Sequence, residues 1–137
     1  MAGYSEKSLA DKLGFKAGAA VALIDAPDDY IEIVSPLPDG IKFSKRLSAQ
    51  VSFAHAFATK RVDLSNTLAS CRAKLNPEAT VWVSWPKKSS KVPTDITEDV
   101  VRAIALPLGF VDVKVCAVTD IWSGLKLVVR KALRPVR

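Results

Sequence analysis

Apolar residues follow two periods along this chain, one typical of buried strands and the other of amphipathic helices. Apolar runs predict strands over residues 19–24, 51–58 and 80–85. A helix is predicted between the second and third of these, with Asp63 as its N-cap and Asn76-Pro77 at its end. Its buried face is expected to carry Leu64, Leu68, Cys71 and Leu75.

Shorter elements complete the amino-terminal half. A helix over residues 5–13 is expected to stop at Gly14. A second short helix should follow the first strand, with Asp28 or Asp29 as its cap. Alternating apolar and polar residues then predict a brief strand over residues 41–45.

The carboxyl-terminal third predicts a helix followed by a hairpin. Thr97 is the expected N-cap of the helix, and Gly109 is its expected end. Its buried stripe is predicted to be Val100, Ile104 and Leu108. Strands over residues 111–118 and 125–130 should pair across a loop that holds residues 122–124.

The alternation of strands and helices predicts one α/β domain over residues 1–137. We expect a three-layer sandwich with a mostly parallel Rossmann-like sheet and an antiparallel hairpin at its carboxyl-terminal edge. The basic tail over residues 131–137 is expected to fray. One connection does not fit: few residues separate Lys45 from Phe53, whereas parallel crossovers usually need about a dozen. The direction of the strand over residues 41–45 therefore stays open.

Composition adds a modest basic bias to this globular pattern. Of the 137 residues, 49% are hydrophobic and 25% charged, which is too apolar for a disordered chain. Lys and Arg number 20 against 14 Asp and Glu, a net charge of +6 that favours anionic partners. Cys71 and Cys116 lack any metal-ligand spacing and are expected to be reduced core thiols. The start of the chain lacks a signal peptide's apolar core, so we expect a cytoplasmic protein without membrane contact.

The order of elements resembles a shortened class I methyltransferase domain, the fold that binds S-adenosylmethionine. The features that match are residues 16–18 before the first strand, residues 75–78 before the strand that contains Trp82, and the elements over residues 97–130. This resemblance implies a methyltransferase-like sheet. The chain also resembles a small bacterial family, a domain of unknown function, and that resemblance implies no activity. The matching runs are residues 85–89, 93–95, 113–118 and 122–126.

Two departures argue against the chemistry of the methyltransferase family. The family uses a Gly-rich turn after its first strand, where this chain has Asp25-Ala26-Pro27-Asp28-Asp29. Pro27 lacks an amide donor, and the side chains of Ala26 and Pro27 add bulk where a cofactor needs close approach. The family also places an acidic residue after its second strand, where this chain has Lys45-Arg46. No cofactor is therefore predicted.

The expected site lies beyond the carboxyl ends of the strands, where residues 25–30, 59–61 and 85–90 should meet. Lysines there can bind an anion, hydroxyls can donate hydrogen bonds, and a tryptophan can stack on a ring. The candidate ligand-binding residues are Asp25, Tyr30, Trp85, Lys87, Lys88, Ser89, Ser90, Trp122 and Ser123. The alternative is a solvated loop whose tryptophan only closes the core.

No catalytic or metal site is predicted. His55 alternates in phase with Phe53 and Phe57, which favours a hydrogen-bonded core histidine over a catalytic one. The leading interpretation is a non-enzymatic binding or regulatory module for an anionic small molecule or an acidic protein surface. The alternative is an enzyme, either a divergent transferase or one that uses an aspartate from Asp25 to Asp29, and nucleic-acid binding ranks third. The exposed edge strand also offers a route to a homodimer.

Overall fold

A computed structural model describes residues 8–135. The helices are α1 (Leu9–Leu13), α2 (Tyr30–Val34), α3 (Arg61–Lys74) and α4 (Glu98–Ala105). The strands are β1 (Ala20–Ile24), β2 (Lys42–Ser44), β3 (Phe53–Phe57), β4 (Thr80–Pro86), β5 (Phe110–Ala117) and β6 (Trp122–Val129). Short 3-10 turns span Lys88–Ser90, Leu106–Leu108 and Lys131–Leu133.

The six strands form one sheet in the order β2-β1-β3-β4-β6-β5. The first four are parallel, whereas β6 runs antiparallel to both β4 and β5. The predicted α/β class, with a largely parallel sheet and an antiparallel pair at one edge, is confirmed.

The open question about β2 has a simple answer. It is parallel to β1, and β1 lies between β2 and β3, so residues 45–52 cross over β1. Ser44 lies beside Ala22, and Phe53 lies beside Val21, so the link returns by only about one residue along the strand direction. It has to span two strand spacings, about 10 Å, which eight extended residues easily reach. The link therefore needs no helix.

Helices cover the two faces of the sheet with different cores. Helices α1 and α2 pack on one face around aromatic residues, among them Phe15, Tyr30, Phe53, Phe57 and Trp82. Helices α3 and α4 pack on the other face around mostly aliphatic residues, among them Leu64, Leu68, Val83, Val101, Leu125 and Leu127. We call these the aromatic face and the aliphatic face.

Several predicted details of the helices change. The prediction of a helix over residues 5–13 begins on residues outside the described part of the chain; within that part Ser8 caps α1, and Gly14 ends it. Asp29 occupies the N-cap position of α2, but its side chain makes no capping hydrogen bond. Asp63 is not a cap: α3 begins at Arg61, so Asp63 lies in the first turn, where it still favours the helix dipole.

In α4, the cap prediction is confirmed and the buried stripe is wrong by one position. Thr97 accepts a hydrogen bond from the Val100 amide at 3.2 Å. Val101 and Ala105 are the fully buried side chains, while the predicted Val100, Ile104 and Leu108 are only partly buried. A 3-10 turn follows, and Gly109 ends it with φ of 102°, a left-handed conformation that suits glycine.

The final hairpin differs more. Trp122, Ser123 and Gly124 are not its loop but the start of β6, where they pair with the end of β4. The connection is formed by residues 118–121, and Val118 N–H donates to the Trp122 carbonyl at 2.9 Å. A Cβ at position 124 would approach Trp82 Cε3 to 3.2 Å, so glycine here serves packing.

The described part of the basic tail is anchored rather than frayed. Residues Lys131–Leu133 form a 3-10 turn, and Arg134 Nε donates to the Val129 carbonyl at 2.9 Å. Residues 136 and 137 lie outside the described part of the chain. Within residues 8–135, none of the helices has the length and apolar character needed to cross a membrane.

Candidate functional site

Three clefts at the carboxyl ends of the parallel strands contain seven of the nine predicted site residues, and Ser89 and Ser90 line none of these clefts. The β1–β2 cleft, of about 540 Å³, is lined by Asp25, Asp28, Tyr30, Phe43 and Lys45 with their neighbours. The β3-end cleft, of about 340 Å³, adjoins it and shares Asp25. The Lys87 cleft, of about 430 Å³, lies at the end of β4.

The turn after β1 shapes the first cleft. Asp25 has φ of 55°, a left-handed conformation that is uncommon for a residue with a side chain. The Tyr30 amide donates to the Pro27 carbonyl at 3.0 Å, which closes the turn into α2. The carboxylates of Asp25 and Asp28 are exposed at the cleft, and neither forms an ion pair with another described residue.

A buried hydrogen-bonded chain supports this cleft from below. Tyr30 Oη and His55 Nδ1 are 2.8 Å apart, and His55 Nε2 and Ser84 Oγ are also 2.8 Å apart. His55 and Ser84 are fully buried, and Phe57 stacks on the imidazole with ring centroids 4.4 Å apart. Both imidazole nitrogens are therefore satisfied within the core.

Burial sets the protonation state of this chain. It lowers the pKa of His55 to about 3 and raises the pKa of Tyr30 above its ordinary value. The imidazole is neutral near pH 7 and has no access to solvent. His55 is thus a core histidine, as predicted. Tyr30 lines the β1–β2 cleft, but its hydroxyl is already engaged by His55.

The β3-end cleft brings Asp25 and Thr59 together, as the sequence predicted, and adds Phe57 and Asp63, which the prediction did not place in the site. Trp122 packs edge-on against Phe57, with centroids 5.0 Å apart, and Asp63 and Thr59 complete the lining. Trp122 pairs with Pro86 and lies on the aromatic face, whereas Trp85 packs into the core of the aliphatic face. The two tryptophans of the predicted site therefore lie on opposite sides of the sheet. Neighbouring side chains of a strand point to opposite faces, and Trp85 precedes Pro86 as Trp122 precedes Ser123. With Pro86 paired to Trp122, this alternation places the two tryptophans on opposite faces.

The Lys87 cleft contains four of the predicted residues: Trp85, Lys87, Lys88 and Ser123. Thr97 and Glu98, at the start of α4, form its opposite wall. The Lys87 amide donates to the Ile121 carbonyl at 2.7 Å, so this loop rests against the final hairpin. Trp85 is only 6% exposed and offers a ligand little of its ring.

The two serines of this loop have different positions. Ser90 Oγ donates to the Lys87 carbonyl at 2.6 Å and accepts from the Val92 amide, so it stabilises the turn itself. Ser89 is exposed on the 3-10 turn. A ligand in the Lys87 cleft would therefore meet the two lysines before either serine.

Neither the thiols nor a metal-binding cluster adds to these clefts in the described part of the chain. Cys71 is buried among apolar residues, and burial raises its pKa to about 12. Cys116 is half-buried beside the aromatic core. Within residues 8–135, no three His, Cys, Asp or Glu side chains are grouped to hold a metal ion.

Comparison with solved structures identifies the fold. A protein from Sulfolobus solfataricus, provisionally described as a type 11 methyltransferase, matches with a TM-score of 0.61 and 14% identity, over 88% of each chain. Magnesium protoporphyrin IX methyltransferase from Synechocystis, solved with bound SAH (S-adenosylhomocysteine), has a TM-score of 0.50 and 11% identity over 72% of this chain. A variant of LepI, solved with SAH and a substrate analogue, has a TM-score of 0.54 and 10% identity over 89% of this chain.

These similarities establish a methyltransferase-like Rossmann fold. The chain spans 54% of the Synechocystis enzyme and 39% of LepI, so it corresponds to part of each. No family model and no curated protein matches the chain. The resemblance to a small bacterial family therefore stays a prediction.

Proposed function

We propose that the β1–β2 cleft binds S-adenosylmethionine or S-adenosylhomocysteine, and that the chain is a divergent methyltransferase-like transferase. The observation that carries this proposal is the position of the cleft. The strand order reverses between β1 and β3, where open α/β sheets bind ligands, and Asp25 at the end of β1 lines both the β1–β2 cleft and the adjoining β3-end cleft. Two proteins of similar fold were solved with SAH.

The residues of the cleft suit a zwitterionic nucleoside in size and charge. Its volume of about 540 Å³ is typical of small-molecule sites. The carboxylates of Asp25 and Asp28 can accept hydrogen bonds from ribose hydroxyls or pair with an ammonium group, and Lys45 can pair with a carboxylate. Phe43 and Ile31 supply apolar surface for a base.

The turn after β1 is not Gly-rich, so a bound nucleoside would contact it differently from the way a nucleoside contacts a Gly-rich turn. Ala26 and Pro27 both carry side chains, and Pro27 has no amide to donate. A nucleoside here would be held by side chains rather than by close approach of the backbone. The acidic groups come from the β1–α2 turn, whereas the end of β2 supplies the cationic side chain of Lys45.

A transferase must also bind the molecule that accepts the transferred group. The β3-end cleft, which adjoins the β1–β2 cleft at Asp25, can hold that acceptor. When bound, S-adenosylmethionine would supply an electrophilic methyl group. Asp25 lines both clefts, so its carboxylate can hold the proton of an acceptor that enters beside Phe57 and Trp122. The two rings would exclude water from that acceptor.

Isothermal titration calorimetry with S-adenosylhomocysteine tests the proposal. We expect saturable binding that Asp25→Asn and Lys45→Ala each weaken about tenfold, because each removes a charged hydrogen-bonding partner. Asp39→Asn and Lys16→Ala are matched controls, since both residues lie near the amino ends of the strands. Absence of binding, or equal affinity in all four variants, would contradict the proposal.

A binding module for anions is the second candidate, and the Lys87 cleft favours it. Two lysines and the hydroxyls of Thr97 and Ser123 line one cleft, although Glu98 lies there too. An anionic small molecule or an acidic protein surface would meet Lys87 and Lys88 first. A thermal shift with an anionic metabolite that Lys87→Gln abolishes, with no response to S-adenosylhomocysteine, would favour this candidate over the transferase.

A further inference from the structure

A fourth cleft lies on the aliphatic face, between α3 and the link that crosses β1. Its volume is about 500 Å³. Its polar lining comprises Lys45, Arg46, Asn66, Thr67, Ser70 and Lys74. We call it the α3 cleft, and neither candidate function uses it.

The backbone places these side chains together. Asn66, Ser70 and Lys74 are four residues apart along α3, so they form one stripe on the helix surface. The link of residues 45–52 lies opposite them, and its Leu47 and Val51 pack into the aliphatic core. Arg46 is therefore carried on a segment that the core holds in place.

The charge of the cleft is unbalanced. Three cations line it and no carboxylate does. Across residues 8–135, the ion pairs of the structure all involve Arg102, and none involves Lys45, Arg46 or Lys74. Lys74 lies in the last turn of α3 and also favours the helix dipole, but Lys45 and Arg46 have no such role. Like charges gathered without a counter-charge are stabilised by a bound anion.

We propose that the α3 cleft binds the phosphate groups of a small phosphorylated molecule. Guanidinium and ammonium groups pair with phosphate oxygens, and the amide and hydroxyls of Asn66, Thr67 and Ser70 can donate to the oxygens that remain. The cleft is open to solvent, and its three exposed cations can contact one or two phosphate groups. A nucleic-acid strand would need cations spread along a longer surface.

This site is separable from the proposed nucleoside site. Only Lys45 lines both clefts, so the experiment uses Arg46 and Lys74. Both residues are exposed, and neither contributes to a core, so their substitution should leave the fold intact. Failure of the phosphate site would leave the nucleoside proposal untouched, and the converse also holds.

The probe is inorganic pyrophosphate, which is titrated into the full chain at low ionic strength. Binding is measured from the NMR chemical shifts of the backbone amides. We expect saturable shifts at Thr67, Ser70 and Lys74, and about tenfold weaker binding in Arg46→Gln and in Lys74→Gln. Lys16→Gln and Lys91→Gln remove the same charge elsewhere and should bind as the parent does. Circular dichroism melts confirm that each variant is folded.

Four outcomes would overturn the proposal. The first is absence of saturable binding. The second is equal weakening by the two control substitutions, which would indicate general charge attraction. The third is loss of binding in Lys87→Gln with Arg46→Gln unaffected, which would place the anion in the Lys87 cleft. The fourth is tighter binding of a 12-nucleotide single strand, weakened by all of these substitutions and steeply by salt, which would indicate a nucleic-acid surface.

Discussion

The two faces of the sheet are stabilised in different ways. The aliphatic face is packed by Leu, Val and Ala side chains from α3, α4 and four strands, and it depends on shape. The aromatic face buries rings around directional hydrogen bonds, among them the chain through Tyr30, His55 and Ser84. Both buried polar residues of the described chain, His55 and Ser84, are on this second face. The aromatic face, whose hydrogen bonds require defined distances and directions, is also the face beneath the β1–β2 cleft.

The largest test of this difference removes the imidazole. His55→Leu leaves the hydroxyls of Tyr30 and Ser84 buried without their partner, and we expect the free energy of unfolding to fall by about 2–5 kcal/mol. Leu68→Met, a conservative exchange in the aliphatic core, should cost less than about 1.5 kcal/mol. Urea denaturation measures both.

A rescue experiment shows whether unsatisfied hydroxyls cause the loss. Adding Tyr30→Phe and Ser84→Ala to His55→Leu removes the stranded groups and should recover much of the stability, because an apolar replacement of all partners costs far less than the loss of one. If the triple variant is as unstable as His55→Leu, shape rather than hydrogen bonding governs this face.

The pH dependence of stability is the second test of the difference between the two faces. Burial lowers the pKa of His55 from 6.5 to about 3, so in that window the unfolded chain binds a proton that the folded protein does not. The contribution of neutral His55 to the free energy of unfolding is complete above pH 6.5. It is lost as the pH falls towards 3, by up to about 1.4 kcal/mol per pH unit. Between about pH 7 and pH 5 the loss should be about 2 kcal/mol.

The same urea experiment on His55→Leu isolates this effect. The chain has one histidine, and His55→Leu removes it, so the difference between the two pH profiles is assigned to His55. Parallel profiles for the parent and His55→Leu would show that the imidazole protonates without opposing the fold.

The smallest test compares one substitution on both faces. Trp82 Nε1 donates to the Leu13 carbonyl at 2.8 Å, whereas the structure shows no side-chain hydrogen bond from Trp85 within residues 8–135. Trp82→Phe should therefore cost about 1–2 kcal/mol more than Trp85→Phe in the free energy of unfolding. Equal costs would mean that ring volume alone matters on both faces.

Periodicity predicted most of this fold, because strands and helices here follow their local patterns. The apolar run before Asp25 and the Thr97 cap were predictable from neighbouring residues. The phase of His55 with two phenylalanines likewise predicted its burial. The direction of β2 was not predictable, because it depends on a register with β1 that no local pattern encodes.

The site was less predictable, because it depends on pairings between distant segments. Ser123 and Gly124 have the composition of a turn, but their pairing with β4 makes them part of a strand. The nine predicted site residues do not meet in one cleft, since Trp85 and Trp122 lie on opposite faces. Arg46 and Lys74 are far apart in sequence, and only the path of the link over β1 brings them together.

The strand order has a consequence for synthesis on the ribosome. Strand β6, which is made after the other five strands of the sheet, does not join the outside of the sheet but lies between β4 and β5. Until it emerges from the exit tunnel, β4 keeps a bare edge of unpaired amides and carbonyls, and β5 has no neighbour. A nascent chain that stops before residue 122 thus carries an incomplete sheet, which only the synthesis of β6 completes.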